Sequence, residues 1–340
     1  MTKVKSKRIQ PGYEPIEGYI LEKRLGRGGY GEVWQAEAPG GLKKAVKFVF
    51  GQHDERRAAQ ELKSLERIKA VQHPFILTLE RFELIQNQLV IVTELADGSL
   101  EDVFKRHQER GSCGIPRDAL LGYMKDAADA LDYLHQLYKL QHLDIKPANL
   151  LIVGGRVKVA DFGLLKDLGE VDCSLVGGLT PIYAPPEVFD GQPSIHSDQY
   201  SLAVMYQELL TSTRPFSGRT IAQLATQHVH NAPNLKPLPA SDRPCVARAL
   251  EKSPGRRFDS CSEFVERLAH PHGRRPDLIE IEADQAESTA RPVVNLPELR
   301  GGAAARADLK QTQALVVALG GTGADCLKEL RQRISELGAS

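Results

Sequence analysis

The sequence predicts an α+β chain of two lobes, a small antiparallel sheet with one helix and then a larger helical lobe, with a cleft between them. Three observations lead there. From Tyr19 to about Leu95 the apolar residues recur mostly at strand spacing, after Gly98 helical periodicity takes over, and past Pro271 both rhythms stop. In the first part, Gly31-Glu32-Val33-Trp34-Gln35-Ala36 alternates, and Ala45–Phe50 and Leu89–Val92 are apolar runs of strand length. One helix interrupts them over Glu55–Lys69, where Ala58, Leu62, Leu65 and Ile68 fall near one face. In the second part, helices are expected over Arg117–Tyr138, Asp198–Leu210, Ile221–His228, Arg243–Glu251 and Ser262–Leu268.

Bulk properties narrow the function. Lys+Arg and Asp+Glu both number 44 in 340 residues, so no net field draws the chain to nucleic acid or an anionic membrane. Apolar residues at 41% suffice for a substantial core. No segment approaches the ~18 unbroken apolar residues of a membrane span. The basic run Lys3–Arg8 is not followed by an apolar stretch, so it does not read as a secretory signal. Five scattered cysteines without a C-x-x-C pair suit a reduced, cytoplasmic chain without structural zinc. The expected organisation is a flexible basic arm (1–17), the sheet lobe (18–97), the helical lobe (98–270), a disordered linker (271–311) and the truncated start of a second domain (312–340).

Gly26-Arg27-Gly28-Gly29-Tyr30-Gly31-Glu32-Val33 fits G-x-G-x-x-G-x-V. Glycines let backbone N–H groups approach phosphate oxygens with no Cβ in the way. A dinucleotide fingerprint has the same glycine spacing but lies between a strand and a helix. This run lies between two strands, as a flap over a nucleotide would. Lys47 follows Ala45-Val46 inside an apolar strand and needs an anionic partner to stay charged there, which Glu61 on the next helix can supply. The strongest signal is His142-Leu143-Asp144-Ile145-Lys146-Pro147-Ala148-Asn149-Leu150-Leu151, followed by Val159-Ala160-Asp161-Phe162-Gly163. Phosphoryl transfer needs a carboxylate to orient the attacking hydroxyl, oxygen ligands for Mg²⁺, and a cation beside the moving phosphoryl group. Asp144, the pair Asn149 and Asp161, and Lys146 supply them.

With these motifs in this order, residues 18–270 resemble a eukaryotic-like Ser/Thr protein kinase, and the C-terminal half is most similar to bacterial members. The resemblance implies the bilobal protein-kinase fold, ATP and two Mg²⁺ ions as cofactors, and a protein substrate with a Ser/Thr acceptor. It implies Asp144 as catalytic base, Lys146 at the γ-phosphate, Asn149 and Asp161 on the metal, and Lys47 paired with Glu61 on the α- and β-phosphates. It assigns Gly26, Gly28, Gly31, Val33, Ala45 and Leu151 to nucleotide binding. Thr93 guards the back of the adenine pocket, and Glu94 and Ala96 offer backbone groups, so that their side chains matter less. Lysine two residues after Asp144 is the Ser/Thr form of the motif. The resemblance further places Thr180 of Thr180–Glu187 beside Asp144 and Lys146, pairs Glu187 with Arg257, and has Asp198 brace the catalytic loop. It puts Leu65, Leu79, His142 and Phe162 in an apolar column joining the lobes. Two positions depart from the pattern: Leu143 replaces a common arginine, and Pro185 replaces an alanine.

A pseudokinase scaffold would have lost Lys47, Asp144, Asn149 or Asp161, and all four are present. At the other end, Ala314–Leu319 reads as a buried strand leading into Gly320-Gly321-Thr322-Gly323 and a helix carrying Leu327, Leu330, Ile334 and Leu337. This resembles the opening of a tubulin-like GTPase domain that continues past Ser340, which would make the kinase a regulatory module of a larger protein. A helical dimerisation tail is the alternative, and either way the segment is a candidate for self-association.

Overall fold

Five strands, β1 (Ile20–Arg27), β2 (Gly31–Ala38), β3 (Leu42–Val49), β4 (Leu79–Ile85) and β5 (Gln88–Glu94), form an antiparallel sheet in the order β1-β2-β3-β5-β4. The structure is a computed structural model that describes residues 9–28, 31–49, 62, 65–85, 88–162, 166–167 and 180–271. Glu61, the Asp-Phe-Gly glycine, the linker and the whole of 312–340 lie outside the described residues.

The register explains the two faces of the sheet. Val33 pairs with Lys47 and Lys47 with Ile91, while Ala45 pairs with Thr93. Because side chains alternate along a strand, these residues share the face that lines the cleft. The even positions Trp34, Val46 and Val92 pack on the opposite face with Ile16 and Leu21. Residues 9–17 therefore correct the expected flexible arm. Ile16 is 3% exposed, Ile9 and Tyr13 pack beside it, and the Gly12 and Leu21 N–H groups bond the Leu21 and Tyr13 carbonyls. Burial of Ile16 and partial burial of Ile9 and Tyr13 against that face outweigh the entropy of a free arm. Of the expected helix over Glu55–Lys69, residues 62 and 65–68 are described and helical, with Leu65 and Ile68 buried.

In the second lobe, α1 (Leu100–Glu109) was not anticipated, although its start was readable. The Ser99 hydroxyl accepts the Asp102 N–H, and the Asp102 carboxylate accepts the Ser99 N–H, a reciprocal cap. The expected helices appear as α2 (Arg117–Tyr133), α4 (Ser197–Thr211), α5 (Ile221–His230), α6 (Arg243–Ala249) and α7 (Cys261–Ala269), with the short α3 (Pro186–Phe189) before α4. α2 ends in a π turn, Leu134–Tyr138, and stops at Lys139 in the left-handed region (φ 55°).

This lobe also holds short strands that the helical reading missed. β6 (Gly98–Ser99), β8 (Leu150–Val153) and β9 (Arg156–Val159) form one sheet, and β7 (Leu140–Gln141) pairs with β10 (Lys166–Asp167). The β8–β9 hairpin turns on Gly154 and Gly155, both at positive φ (58° and 77°), as a tight two-residue turn requires.

α4 threads the middle of the lobe, buried from Ser197 to Leu209. Around it lie polar ties that fix its neighbours. Asp242 accepts from Arg117 at 2.9 and 3.0 Å and from the Tyr206 hydroxyl at 2.7 Å. Glu187 and Arg257 form the expected buried pair through two bonds of 2.7 and 2.8 Å. Removing one partner of such a pair costs about 3–5 kcal/mol. The described residues all belong to one compact unit.

His228 on α5 is fully buried among Phe216, Tyr200 and Phe189, with its Nδ1 2.9 Å from the Tyr200 hydroxyl. Burial, and secondarily the Lys252 ammonium, push its pKa down from 6.5 to about 4. The unfolded chain therefore binds a proton at this histidine below pH 6.5, and the folded chain does not until about pH 4. Stability should fall as pH drops through that window. Urea midpoints at pH 7, 6 and 5 should show a smaller loss for His228→Gln than for wild type; identical pH slopes would contradict this assignment.

Candidate active site

The loop from His142 to Lys146 alternates in and out of the core. Leu143 and Ile145 are buried, while Asp144 and Lys146 face the cleft, half-buried. The loop hangs from α4. Asp198 Oδ2 accepts the His142 N–H at 2.9 Å and Oδ1 the Leu143 N–H at 2.8 Å. His135, at the π turn, bonds the same carboxylate through Nε2 at 2.9 Å. Burial opposes ionisation of Asp198, but the His135 hydrogen bond and the loop N–H group hold its carboxyl below the usual range. Leu143 has φ +62°, a strained setting for a leucine, and its N–H lies in this grip. His142 also locks the loop. Its Nδ1 accepts the Asp144 N–H at 3.3 Å, so its ring proton sits on Nε2 and is donated to the Ala160 carbonyl at 2.9 Å.

Three donors converge on Asp144. Thr180 Oγ1 reaches Oδ1 at 2.8 Å, and Lys146 Nζ and Asn149 Nδ2 reach Oδ2 at 2.6 and 3.0 Å. Lys146 also donates to Thr180 at 3.0 Å, closing a triangle. Across the cleft, Lys47 Nζ bonds Asp161 Oδ1 at 2.7 Å. Partial desolvation in the cleft works against the charge of Asp161, whose side chain stays 43% exposed, and Lys47 more than compensates, holding the carboxyl below its ordinary value. Asp161 sits at φ +64°.

A cavity of about 410 Å³ opens beside these groups. Its walls include the expected Gly26, Val33, Ala45, Lys47, Thr93, Glu94, Ala96, Leu151, Asn149 and Asp161. Leu25, Leu77, Leu95 and Asp102 also line it and were not anticipated. The glycines differ in role. A Cβ at Gly26 or Gly28 would meet open space, and of the two only Gly26 lines the cavity. At Gly31 a Cβ would collide with the Phe48 carbonyl, so that glycine permits close strand approach instead. The apolar column holds: Leu65, Leu79 and Phe162 line the cavity, and the His142 and Phe162 rings lie 5.2 Å apart.

Glu94 departs from expectation. Its side chain accepts the Thr78 N–H at 2.7 Å and Lys158 Nζ at 2.6 Å, tying the end of β5 to the start of β4 and to β9. Burial disfavours its charge, but Lys158 and Thr78 hold the carboxyl below the ordinary range. Its side chain therefore matters beyond its backbone, because the strand ending that delivers Thr93–Ala96 to the cavity is pinned by it.

An antiparallel-sheet lobe over a helical lobe, with a carboxylate–lysine loop facing a second carboxylate across the cleft, is the architecture of protein kinases. Residues 19–275 match the protein kinase domain family, and the chain belongs to it. It is 30% identical over 275 residues to the serine/threonine-protein kinase ULK3 of Homo sapiens, covering 77% of this chain and 56% of that one. It is 28% identical over 296 residues to the serine/threonine-protein kinase PknF of Mycobacterium tuberculosis, covering 81% and 60%. The chain thus spans somewhat more than half the length of these relatives. The crystal structure of a point mutant of the Mycobacterium tuberculosis PknI kinase domain superimposes with a TM-score of 0.62 at 26% identity, covering 78% of this chain and all of that one. Family membership implies use of ATP and a divalent metal. Among the described residues, no helix is long and apolar enough to cross a membrane.

Asp198→Ala should leave the His142 and Leu143 N–H groups buried without acceptors, at about 1–3 kcal/mol each. Urea unfolding should show a loss of at least about 2 kcal/mol, with faster amide exchange at residues 142 and 143. Unchanged exchange there would show that the loop is held by something else.

Proposed function

We propose that this chain transfers the γ-phosphoryl group of ATP to Ser/Thr hydroxyls of protein substrates. The observation that carries the proposal is the convergence of Lys146, Thr180 and Asn149 on Asp144, facing Asp161 and Lys47 at the cavity mouth. Asp144 orients the acceptor hydroxyl and takes its proton at a carboxylate oxygen. Lys146, already beside Asp144, places positive charge where the phosphoryl group passes. Lys47 reaches the other phosphates from the sheet. Asn149 spends its amide N–H groups on Asp144, so its carbonyl oxygen and the Asp161 carboxylate form the hard oxygen donor set that suits Mg²⁺. Two Mg²⁺ ions held there would neutralise the phosphate charge. Val33, Ala45, Thr93 and Leu151 receive the adenine beneath Gly26 and Gly28, with backbone groups of Glu94 and Ala96 at its edge. The setting is cytoplasmic signalling. For residues 312–340 the proposal rests on sequence alone: Gly320–Gly323 as the phosphate loop of a second nucleotide-binding domain or, in the alternative, a helical tail for self-association.

Lys47→Met and Asp161→Asn should each abolish phosphate transfer from labelled ATP to a generic basic substrate while leaving the fold intact. Activity above about a tenth of wild type, little more than 1 kcal/mol of barrier, would refute the assigned role.

Leu143 is buried and offers no side-chain donor to a phosphate. Activity should therefore not require phosphorylation of the loop between Asp161 and Thr180. The clean test is Ser174→Ala, at a position outside the described residues, since Thr180 itself touches Asp144. Activity towards an external substrate should persist; a severe drop restored by Ser174→Glu would overturn the expectation.

A further inference from the structure

We propose that Arg214 selects substrates carrying an acidic side chain near the acceptor hydroxyl, an inference that rests on the phosphotransfer reading above. The Tyr183 N–H turns back onto the Thr180 carbonyl at 3.1 Å, and Thr180 bonds Asp144. Tyr183 therefore stands beside the path a substrate must follow to present its hydroxyl.

From there the Tyr183 hydroxyl donates to Glu208 Oε2 at 2.6 Å, and Arg214 Nε donates to Glu208 Oε1 at 2.6 Å. Glu208 is 8% exposed, whereas the Arg214 side chain is 42% exposed. Both carboxylate oxygens are thus occupied by the chain's own groups, and the member of the pair that meets solvent is positive. Glu208 is buried with a donor on each oxygen, so its charge is shielded from a substrate cation. Among the described residues Arg214 donates through Nε alone, so its two Nη groups remain as a fork for a second carboxylate.

Burial, then the Glu208 carboxylate, keep the Tyr183 hydroxyl protonated well beyond neutral pH, so the arrangement is constant under assay conditions. Glu101, a further charge near Tyr183, is half-exposed and paired with Lys105 at 3.2 Å. Asp144 and Arg214 are linked through Thr180, Tyr183 and Glu208, so the acidic residue belongs within about five residues of the acceptor, at about 3.3 Å each.

The test uses the full chain and a peptide library with a fixed central serine, placing Asp, Ala or Arg at each of five flanking positions on either side. Wild type should favour Asp over Ala by roughly fivefold in kcat/KM at one or more positions. Arg214→Gln should bring that ratio close to one, and Arg214→Glu should turn the preference towards Arg. Glu208→Gln keeps a partner for Tyr183 but removes the neutralising charge, and should raise the ratio. The wild-type profile decides the matter even if a variant fails to fold: a preference for Arg, or none, overturns the proposal. So does an Asp preference that survives in Arg214→Gln. Wild type that phosphorylates no peptide refutes the phosphotransfer reading itself, and this inference with it.

Discussion

Asp198 holds two backbone N–H groups and one imidazole from a position with no solvent access, and the placement of the catalytic loop follows from that grip. A buried carboxylate is costly unless its oxygens are fully engaged, so the arrangement is stable only when the loop and His135 are all in place. The cost explains two local oddities. The π turn after α2 carries His135 to Asp198, and Leu143 accepts a left-handed backbone because its N–H has a charged acceptor there. Leu143 and Ile145 then anchor the loop in the core, and the intervening positions, Asp144 and Lys146, face the cleft.

The sheet lobe meets the helical lobe through contacts of different kinds. Lys47 reaches Asp161 by charge, Leu65, Leu79 and Phe162 line one cavity, Ile68 and Ile76 are buried in the helical lobe's core, and Glu94 reaches Lys158 beside the connection. The Leu77 N–H and the Phe75 carbonyl also bond the Val159 backbone, so β9 is tied directly to the segment before β4. The cavity is walled by both lobes while most of the polar chemistry stays on the helical side, where α4 keeps it still.

The legible parts of the sequence were those whose signal is contiguous. Asp144, Lys146, Asn149 and Asp161 lie within eighteen residues of one another, and the glycine run before Val33 and the Ala45-Val46-Lys47 strand are each continuous in sequence. Signals of two other kinds were harder to read. Some are present but short: Ser99-x-x-Asp102 caps α1, and Gly154-Gly155 turns the β8–β9 hairpin, yet stronger helical periodicity surrounds both. Others exist only in three dimensions. His135 and Asp198 are 63 positions apart, Lys158 and Glu94 are 64 apart, and nothing local in either pair announces its partner. The burial of Ile16 belongs with these, because a basic, polar segment looks free until the sheet offers it an apolar face.

The pairing of β2, β3 and β5 also governs which changes of length this lobe can absorb. A single residue inserted between Leu42 and Ala45 would carry Lys47 to the face occupied by Trp34 and put Val46 in the cleft, reversing every side chain downstream until the pairing slipped back. A strand whose two faces do unrelated jobs, core on one side and ligand on the other, has no neutral way to lengthen by one. Gains and losses of residues among relatives should therefore collect in turns such as Pro39–Gly41, where two consecutive glycines at positive φ already give the chain latitude. Substitutions within the strands can stay frequent, provided they keep the parity of the positions.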